Sequence, residues 1–329
     1  MSEQQLTISE IYTKGKENLE KAGVGYVYAA GRMMGPSVTA NRKYLDSLFF
    51  ETKFFDPVDV DTSLTIFDTK LRTPVFCSAI SRLDYMSETD MTDIAQGITD
   101  SGSLMMLGIG GSPELQSAID TGAPVVKMVK PYQRTELIYE KVRDAESRGC
   151  VAVGMDIDHF YGALRVDRVM RTELFGPQRT EELKQLISQS KLPFIIKGVL
   201  SISDAEKAVQ LGASAVVVSN HGSGAIDFSV PSMIALPRIV ESVGDKLTVL
   251  IDTGFRTGND VLKALALGAK GVGFADSILL ALAADGSHGV ELLINQLTAE
   301  LRRTMAATGC PNLSAIERSI ITQIPAIGE

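Results

Sequence analysis

The residues best suited to chemistry in this sequence are ionisable side chains that end apolar runs. His221 follows "VVVSN" and precedes a glycine, Lys197 lies inside "FIIKGV", and Asp252 ends "LTVLID". Imidazole is the side chain that most readily takes or gives a proton near neutral pH. A buried ammonium group is costly unless an anion pairs with it. The three residues together predict a site of proton transfer surrounded by fixed charges.

Further candidates end similar runs. They are Lys127 and Lys130 in "VVKMVKP", and Asp156, Asp158 and His159 in "GMDIDH". Lys127 and Lys130 differ in parity, so in an extended strand only one of them can face a site from the strand itself. Taken singly, each candidate also has a structural interpretation, as a salt-bridged lysine, a histidine that ends a strand or an aspartate that caps a loop.

The elements that would position these residues form a repeating pattern from about residue 74. Apolar runs of strand length alternate with amphipathic helical stretches. The runs are "PVFCSA" (74–79), "SLMMLG" (103–108), "PVVKMV" (124–129), "VAVGMD" (151–156), "PFIIKG" (193–198), "AVVVSN" (215–220), "LTVLID" (247–252) and "GVGFAD" (271–276). Eight such units predict a single α/β domain, a (β/α)8 TIM barrel, whose chemistry lies at the C-terminal ends of the strands. Every candidate above occupies such a position.

The rest of the chain is assigned around this barrel. Residues 1–73 are expected to form a helical and loop-rich cover of the same domain, and 74–329 the barrel with C-terminal helices, including a helix pair from about 287. In "SDAEKAVQLGA" we expect Ser203 or Asp204 to cap a helix that Gly212 ends. The loop "TGFRTG", with two glycines and Arg256 before a helix, predicts a phosphate cradle.

Composition limits the partners. The chain has 329 residues, 32 basic and 40 acidic side chains, and a net charge of −8 without charge blocks, which argues against nucleic acid. Neither a signal core nor a membrane span is evident, so we expect a cytoplasmic protein. Three distant cysteines predict neither a disulfide framework nor a metal site.

Four stretches resemble the FMN-dependent α-hydroxy acid oxidases and dehydrogenases, the family of glycolate oxidase and lactate oxidase. They are "VDVDTSLTIFDTKLRTPV", "LPFIIKGVLSISDAEKAVQLGASAVVVSNHG", "IDTGFRTGNDVLKALALGAKGVG" and "ELRRTMAATGCPNLSAIE". The resemblance runs from about residue 6 to 325. It implies a (β/α)8 barrel with FMN at its mouth, a small anionic substrate, and a homo-oligomer, usually a tetramer.

The resemblance also implies roles for individual residues. His221 falls where the family has the base that takes the substrate α-proton, and Asp158 falls where the family orients that histidine. Lys197 falls beside the flavin, and Lys130 falls where a substrate-side tyrosine stands, so Lys130 rather than Lys127 is the expected substrate-side cation. The implied FMN contacts are Ala79, Lys197, Ser219, Asp252, Gly254, Phe255 and Arg256.

The sequence departs from the family pattern in the same region. Gly224 replaces the arginine that pairs with the substrate carboxylate, and Val27 replaces an assisting tyrosine. Met128 and Asp156 replace two neutral flavin contacts, and Asp276 replaces the arginine at the FMN phosphate. Losing one partner of a buried charged pair costs about 2–5 kcal/mol, so we expect slow or absent turnover of glycolate and lactate and weakened binding of FMN.

Three functional classes remain open on sequence alone. The first is a divergent FMN-dependent oxidoreductase that uses His221 as base on an anionic small molecule. The second is a flavin-free barrel lyase, aldolase or isomerase built on His221, Asp158 and Lys197, in which Asp156, Asp158 and His159 could instead hold a divalent metal. The third is a binding protein without catalytic activity.

Overall fold

The computed structural model describes residues 5–23, 35–81, 89–159, 174–222 and 226–324. The N-terminal cover contains helices α1 (Ile8–Lys21) and α2 (Pro36–Asp46) and the short strands β1 (Leu48–Phe50), β2 (Leu64–Ile66) and β3 (Thr69–Leu71). Helix α1 starts with a capping box, in which the Thr7 side chain accepts from the Glu10 amide while the Glu10 carboxylate accepts from the Thr7 amide.

Eight parallel strands form the predicted closed barrel, and the fold prediction is confirmed. Their order around the barrel is their order in the chain. The strands are β4 (Val75–Ile80), β5 (Met105–Leu107), β6 (Val125–Val129), β7 (Ala152–Asp156), β8 (Phe194–Val199), β9 (Ala215–Val218), β10 (Thr248–Asp252) and β11 (Gly271–Phe274). Six lie within the apolar runs that the sequence indicates, and β4 and β8 extend one residue beyond theirs.

Seven helices lie between these strands or beside them within the described ranges. They are α3 (Asp90–Ser101), α4 (Ser112–Asp120), α5 (Thr135–Arg148), α6 (Thr180–Gln189), α7 (Ile202–Leu211), α8 (Ser232–Val243) and α9 (Gly258–Ala266). Helix α7 begins earlier than expected, because Ser201 rather than Ser203 or Asp204 is the cap and its hydroxyl accepts from the Asp204 amide at 3.1 Å. It ends as expected at Gly212, which is left-handed.

Two apolar layers follow from the alternation of side chains along the strands. In β9, Val216 and Val218 pack into the layer between barrel and helices, whereas Ala215 and Val217 face the barrel interior. Ile66 of the β2–β3 hairpin belongs to the interior cluster. The hairpin therefore closes one end of the barrel, which leaves the other end for a site.

The C-terminal region differs from the expected helix pair. Helix α10 (Asp276–Ala307) is interrupted by non-helical backbone at Asp285 and Gly286. After it come two 3-10 turns, Leu313–Ala315 and Arg318–Ile320, and then strand β12 (Ile321–Gln323), which pairs antiparallel with β1. Left-handed Gly309 and then Pro311 stop the helix, because proline cannot continue one.

Helix α10 is long and apolar enough, by length and composition, to cross a membrane. An 18-residue window in it has a mean hydropathy of 1.4, and 56% of that window is buried inside the protein. Ile278, Leu293 and Leu297 of this helix are completely buried in the main core. Burial in the core thus accounts for its apolar character.

Candidate active site

A polar layer tops the apolar barrel interior. Along β6, β8 and β10 the inward-facing residues are Met128, Ile195 and Leu250, and in each strand the side chain two positions further is charged. The polar layer, counted around the barrel, consists of Ser78, Lys130, Asp156, Lys197, Ser219 and Asp252. All six are buried. Strand periodicity therefore brings polar side chains from six strands, four of them ionisable, to one end of the barrel.

Lys197 is the centre of this layer. Its Nζ lies 3.1 Å from Ser219 Oγ, 3.3 Å from Asp252 Oδ2 and 3.6 Å from Asp156 Oδ1. Asp156 and Lys197 face each other in the β7–β8 register. The buried ammonium is thus paired with carboxylates from two other strands, as its burial requires.

Asp252 is in turn held by hydroxyl groups. Ser78 Oγ donates to Asp252 Oδ2 at 2.5 Å, and Thr253 Oγ1 donates to Oδ1 at 3.0 Å. Thr253 has a φ of 85°, and Gly254 follows with a φ of 81°. The chain turns sharply at this point, so the carboxylate at the end of β10 is fixed where the glycine-containing loop begins.

His221 stands just after β9 and lies between two aspartates. Its Nδ1 is 2.5 Å from Asp158 Oδ2, while its Nε2 is 2.9 Å from Lys197 Nζ and 3.3 Å from Asp156 Oδ1. In the neutral form that satisfies both short contacts, Nδ1–H donates to Asp158 and Nε2 accepts from Lys197. The φ of His221 is 48°, a left-handed conformation that is uncommon for residues other than glycine and that concentrates at functional sites.

Gly198 makes room for Asp158. Its φ is 98°, and a Cβ at this position would come within 2.6 Å of Asp158 Cγ. A larger residue after Lys197 would push Asp158 away from His221. The glycine in "FIIKGV" therefore contributes to the Asp158–His221 contact.

Lys127 and Lys130 point to opposite sides of β6, as their spacing predicts. Lys130 Nζ donates to Asp156 Oδ2 at 2.7 Å inside the polar layer. Lys127 Nζ donates to the carbonyl oxygens of Gly108 and Gly110, at 2.5 and 3.4 Å. Burial lowers the pKa of Lys127 to about 7.

The titration of the polar layer follows from its charges. Burial raises the pKa of Asp156, but the charges of Lys130, His221 and Lys197 outweigh burial and hold it well below its usual value. Burial lowers the pKa of His221, yet Asp158 and Asp156 raise it overall, against the opposing charge of Lys197. Burial likewise lowers the pKa of Lys197, and Asp252 and Asp156 more than restore it.

A cleft of about 950 Å³, including space open to solvent, adjoins this layer. Six of the seven expected FMN contacts line it, together with the proposed base His221: Ala79, Lys197, Asp252, Gly254, Phe255 and Arg256. Asp276, at the start of α10, also lines it. Ser219 and Lys130 lie behind the lining, where they contact Lys197 and Asp156.

Several site residues were not anticipated from the sequence. Tyr12 of α1 lines the cleft and donates from its hydroxyl to the Arg256 carbonyl at 2.8 Å. Asn41 of α2 donates to the Thr253 carbonyl at 3.0 Å and so holds the same loop. These two contacts link residues more than 200 positions apart, and no local signal predicts them. Ser78, by contrast, follows from the alternation in "PVFCSA".

Some predicted departures fall outside the described residues. Gly224, the position of the missing arginine, and Val27, the position of the missing tyrosine, both lie there. Met128 lies within the described residues and faces the barrel interior.

Comparisons with known proteins identify the family. The sequence model of the FMN-dependent dehydrogenase family matches residues 15–180 and 165–323, which together span most of the chain. The chain belongs to this family. FMN is therefore its cofactor, and the flavin-free alternative is not favoured.

Individual relatives agree with the family assignment. The chain is 27% identical over 344 residues to glycolate oxidase 3 of Arabidopsis thaliana, covering 93% of each sequence. It is 47% identical over 143 residues to an L-lactate dehydrogenase of Caulobacter sp. (strain K31), covering 44% of this chain and 38% of the relative. A crystal structure of a mandelate oxidase variant with 2-hydroxy-phenylacetamide is similar with a TM-score of 0.88, at 28% identity, covering 99% of this chain and 100% of that one.

The cleft suits such a cofactor. Lys197 offers a cation at the polar layer, and Arg256 offers one on the loop after β10. At Gly254 a Cβ would come within 2.9 Å of Asn41 Nδ2, so a residue without a side chain is required in this narrow turn. This arrangement matches a ligand that has a polar ring at one end and a phosphate at the other. Asp276 adds a negative charge to the cleft lining.

Proposed function

We propose that this protein oxidises a small anionic 2-hydroxy acid to the corresponding 2-oxo acid, with His221 as the base. The observation that carries the proposal is the position of His221, with Nδ1 on Asp158 and Nε2 directed to the polar layer beside the cleft. Glycolate, lactate and mandelate oxidation by relatives supports the reaction class.

The chain's residues have distinct parts in the proposed reaction. Asp158 holds the Nδ1 proton and thereby keeps Nε2 as the basic nitrogen, which takes a proton from the substrate. When bound, FMN accepts the two electrons that the oxidation releases. Lys197 must leave Nε2 for the base to act, and it has other acceptors in Ser219 and Asp252.

The imidazolium that forms is stabilised in place. Asp158 Oδ2 and Asp156 Oδ1 lie at 2.5 and 3.3 Å from the two ring nitrogens. Both carboxylates favour the protonated ring, which accords with the raised pKa of His221. Asp156 is thus a positioning and charge-compensating residue for the proposed base.

The substrate is proposed to differ from glycolate and lactate. Gly224 cannot bind a carboxylate as the family's arginine does, and Lys130 is the proposed substitute. Its ammonium lies in the polar layer, whereas that of Lys127 is bound by main-chain carbonyls outside it. Binding an anion through Lys130 requires Lys130 to be shared with Asp156.

The experiment is anaerobic mixing of the FMN-loaded protein with a panel of 2-hydroxy acids of increasing side-chain size, followed by the visible flavin absorbance. We expect bleaching by at least one larger acid and negligible bleaching by glycolate or lactate. His221→Ala should slow bleaching by at least about 100-fold, the lower range for loss of a general base, with unchanged flavin content.

His288→Ala is the matched control, because His288 is an exposed histidine on α10 whose Nδ1 lies 3.5 Å from Glu291 Oε2. It should bleach at the normal rate. Normal bleaching by His221→Ala would remove His221 as the base, and rapid oxidation of glycolate or lactate by the unaltered protein would refute the proposed substrate difference.

A further inference from the structure

A second histidine stands against the proposed base. His159 ends the 3-10 turn Ile157–His159 that follows β7, and it is buried. Its ring lies 4.3 Å from the ring of His221, centroid to centroid, at 66°. One ligand atom each from Asp158, His159 and His221 lie within 4.8 Å of one another. We call these three residues the two-histidine cluster.

Asp158 offers the cluster an oxygen that no described residue uses. Oδ2 contacts His221 Nδ1, while Oδ1 is buried and has no hydrogen-bond partner within the described parts of the chain. A buried carboxylate oxygen without a partner is costly, because it has lost water and gained nothing. Oδ1 lies beside Gly198, and no described residue uses its lone pairs.

The charges nearby favour a cation over an anion. Three carboxylates, on the buried Asp156 and Asp252 and on the partly buried Asp158, face two buried ammonium groups, on Lys130 and Lys197. With neutral imidazoles these five groups leave one net negative charge. Lys197 opposes a cation most directly, because its Nζ is 3.4 Å from His221 Nδ1.

We propose that the two-histidine cluster binds a divalent transition-metal ion such as Zn²⁺, and that the bound ion inhibits the enzyme. Two imidazole nitrogens and one carboxylate oxygen are a ligand set that Zn²⁺ takes with bonds of about 2.0–2.2 Å, leaving a position for water. Closing on the ion requires the three ligand atoms to draw together. Because Lys197 is close, the site is a reversible one that a chelator empties.

Inhibition follows from which groups the ion occupies. An ion on Asp158 and His221 displaces the Nδ1 proton, and the neutral ring then carries its single proton on Nε2, so Nε2 cannot take a proton from the substrate. This consequence rests on the proposed function, whereas binding of the ion does not. The two parts are therefore measured separately.

Binding is tested on the FMN-loaded protein after treatment with a chelator and desalting. Zn²⁺ is titrated by calorimetry, and Co²⁺ is added to a second sample to record its visible absorption, which reports coordination geometry. We expect about one ion per chain. His159→Gln should weaken Zn²⁺ binding by more than about 100-fold, the upper end of the range for loss of an outer-shell partner.

Two further variants keep the test decisive. His288→Gln removes an exposed histidine and should bind Zn²⁺ like the unaltered protein. Asp158→Asn keeps the side-chain shape and should also weaken binding, which covers the case that His159→Gln fails to fold by the criterion of flavin content and thermal unfolding. Absence of Zn²⁺ binding, or equal binding by the unaltered protein and either cluster variant, overturns the proposed site.

Turnover separates the site from its effect. We expect Zn²⁺ to inhibit oxidation, a chelator to restore it, and His159→Gln to be inhibited at a correspondingly higher Zn²⁺ concentration. Zn²⁺ binding that depends on His159 while oxidation continues undiminished would overturn the inhibitory part and place His221 outside the site. If no substrate is oxidised at all, the proposed function fails and the calorimetric result still decides the metal site.

Discussion

Replacing Lys130 by methionine tests the buried pair that distinguishes this polar layer. Lys130 Nζ and Asp156 Oδ2 are 2.7 Å apart, and their side chains are 5% and 0% exposed. Removing one member of a buried ion pair costs about 3–5 kcal/mol in the free energy of unfolding, because the other charge stays buried without its partner. The structure predicts that the two members of this pair are not equally costly to remove.

The asymmetry arises from the remaining contacts. Without Lys130, Asp156 keeps Lys197 Nζ at 3.6 Å and His221 Nε2 at 3.3 Å, so Lys130→Met should cost about 3 kcal/mol, the lower limit. Asp156→Asn removes the carboxylate, which leaves Lys130 with no other ion pair in the described residues and also removes one of the two carboxylates that pair with Lys197. It should cost about 5 kcal/mol.

Urea unfolding of the FMN-loaded proteins measures these differences. The double variant Lys130→Met with Asp156→Asn should be more stable than Asp156→Asn alone, because no lone ammonium is buried. Lys16→Met is the control: Lys16 forms an exposed pair with Glu20 at 4.0 Å and should change stability by less than about 1 kcal/mol. If Lys130→Met matches this control, or if the two single effects simply add, the pair does not act as argued.

Three further outcomes follow. The value of kcat/KM should rise as the pH passes through the pKa of His221, because the neutral ring is the base. That pKa should lie above the usual 6.5, because Asp158 favours the charged ring. Asp158→Asn should move the rise to lower pH, and an unmoved pH profile would contradict the effect of Asp158 on His221. Asp276→Arg should tighten the binding of FMN at least about tenfold, equivalent to about 1.4 kcal/mol, because it reverses a partly exposed charge in the cleft lining. The binding of riboflavin, which has no phosphate, should not become tighter. Fluorescence titration with both ligands checks this. The pKa of Lys127 is about 7 in the folded protein and 10.5 in the unfolded chain, so between these pH values the unfolded chain binds more protons than the folded one. The contribution of Lys127 to the free energy of unfolding therefore rises with pH over this window. Lys127→Met should abolish that part of the rise, as measured by urea unfolding at several pH values.

The barrel could be predicted because its signals are local and repeated. Each strand corresponds to one apolar run of the sequence. The last residue of each run lies within two residues of the last residue of its strand, as in "PVVKMV" and Val125–Val129. Boundaries set by single side chains were less predictable. Ser201 caps α7 instead of Ser203, because serine, threonine and aspartate in succession offer several equivalent caps.

The site was predictable where strand ends alone determine it. Lys197, Asp252 and His221 stand out as polar residues at the ends of apolar runs, and the parity of Lys127 and Lys130 separates them correctly onto two faces of β6. The pairing of Lys130 with Asp156 was not predicted, since it joins neighbouring strands through side-chain reach. Nor was the edge-on contact of the His159 ring with the His221 ring, because a turn after a strand leaves the side-chain direction open.

The charge balance of the polar layer connects its structure to proton transfer. With a neutral His221, the carboxylates of Asp156, Asp252 and the adjoining Asp158 face two ammonium groups, so the layer together with Asp158 carries one net negative charge. When His221 takes a proton, that charge is cancelled between Asp158 and Asp156, both within 3.3 Å of the ring. Proton uptake thus makes the buried layer neutral, which lowers the electrostatic cost of burying it. Lys130 compensates Asp156 in both states, so the second aspartate can stabilise the imidazolium without adding an uncompensated charge to the resting site.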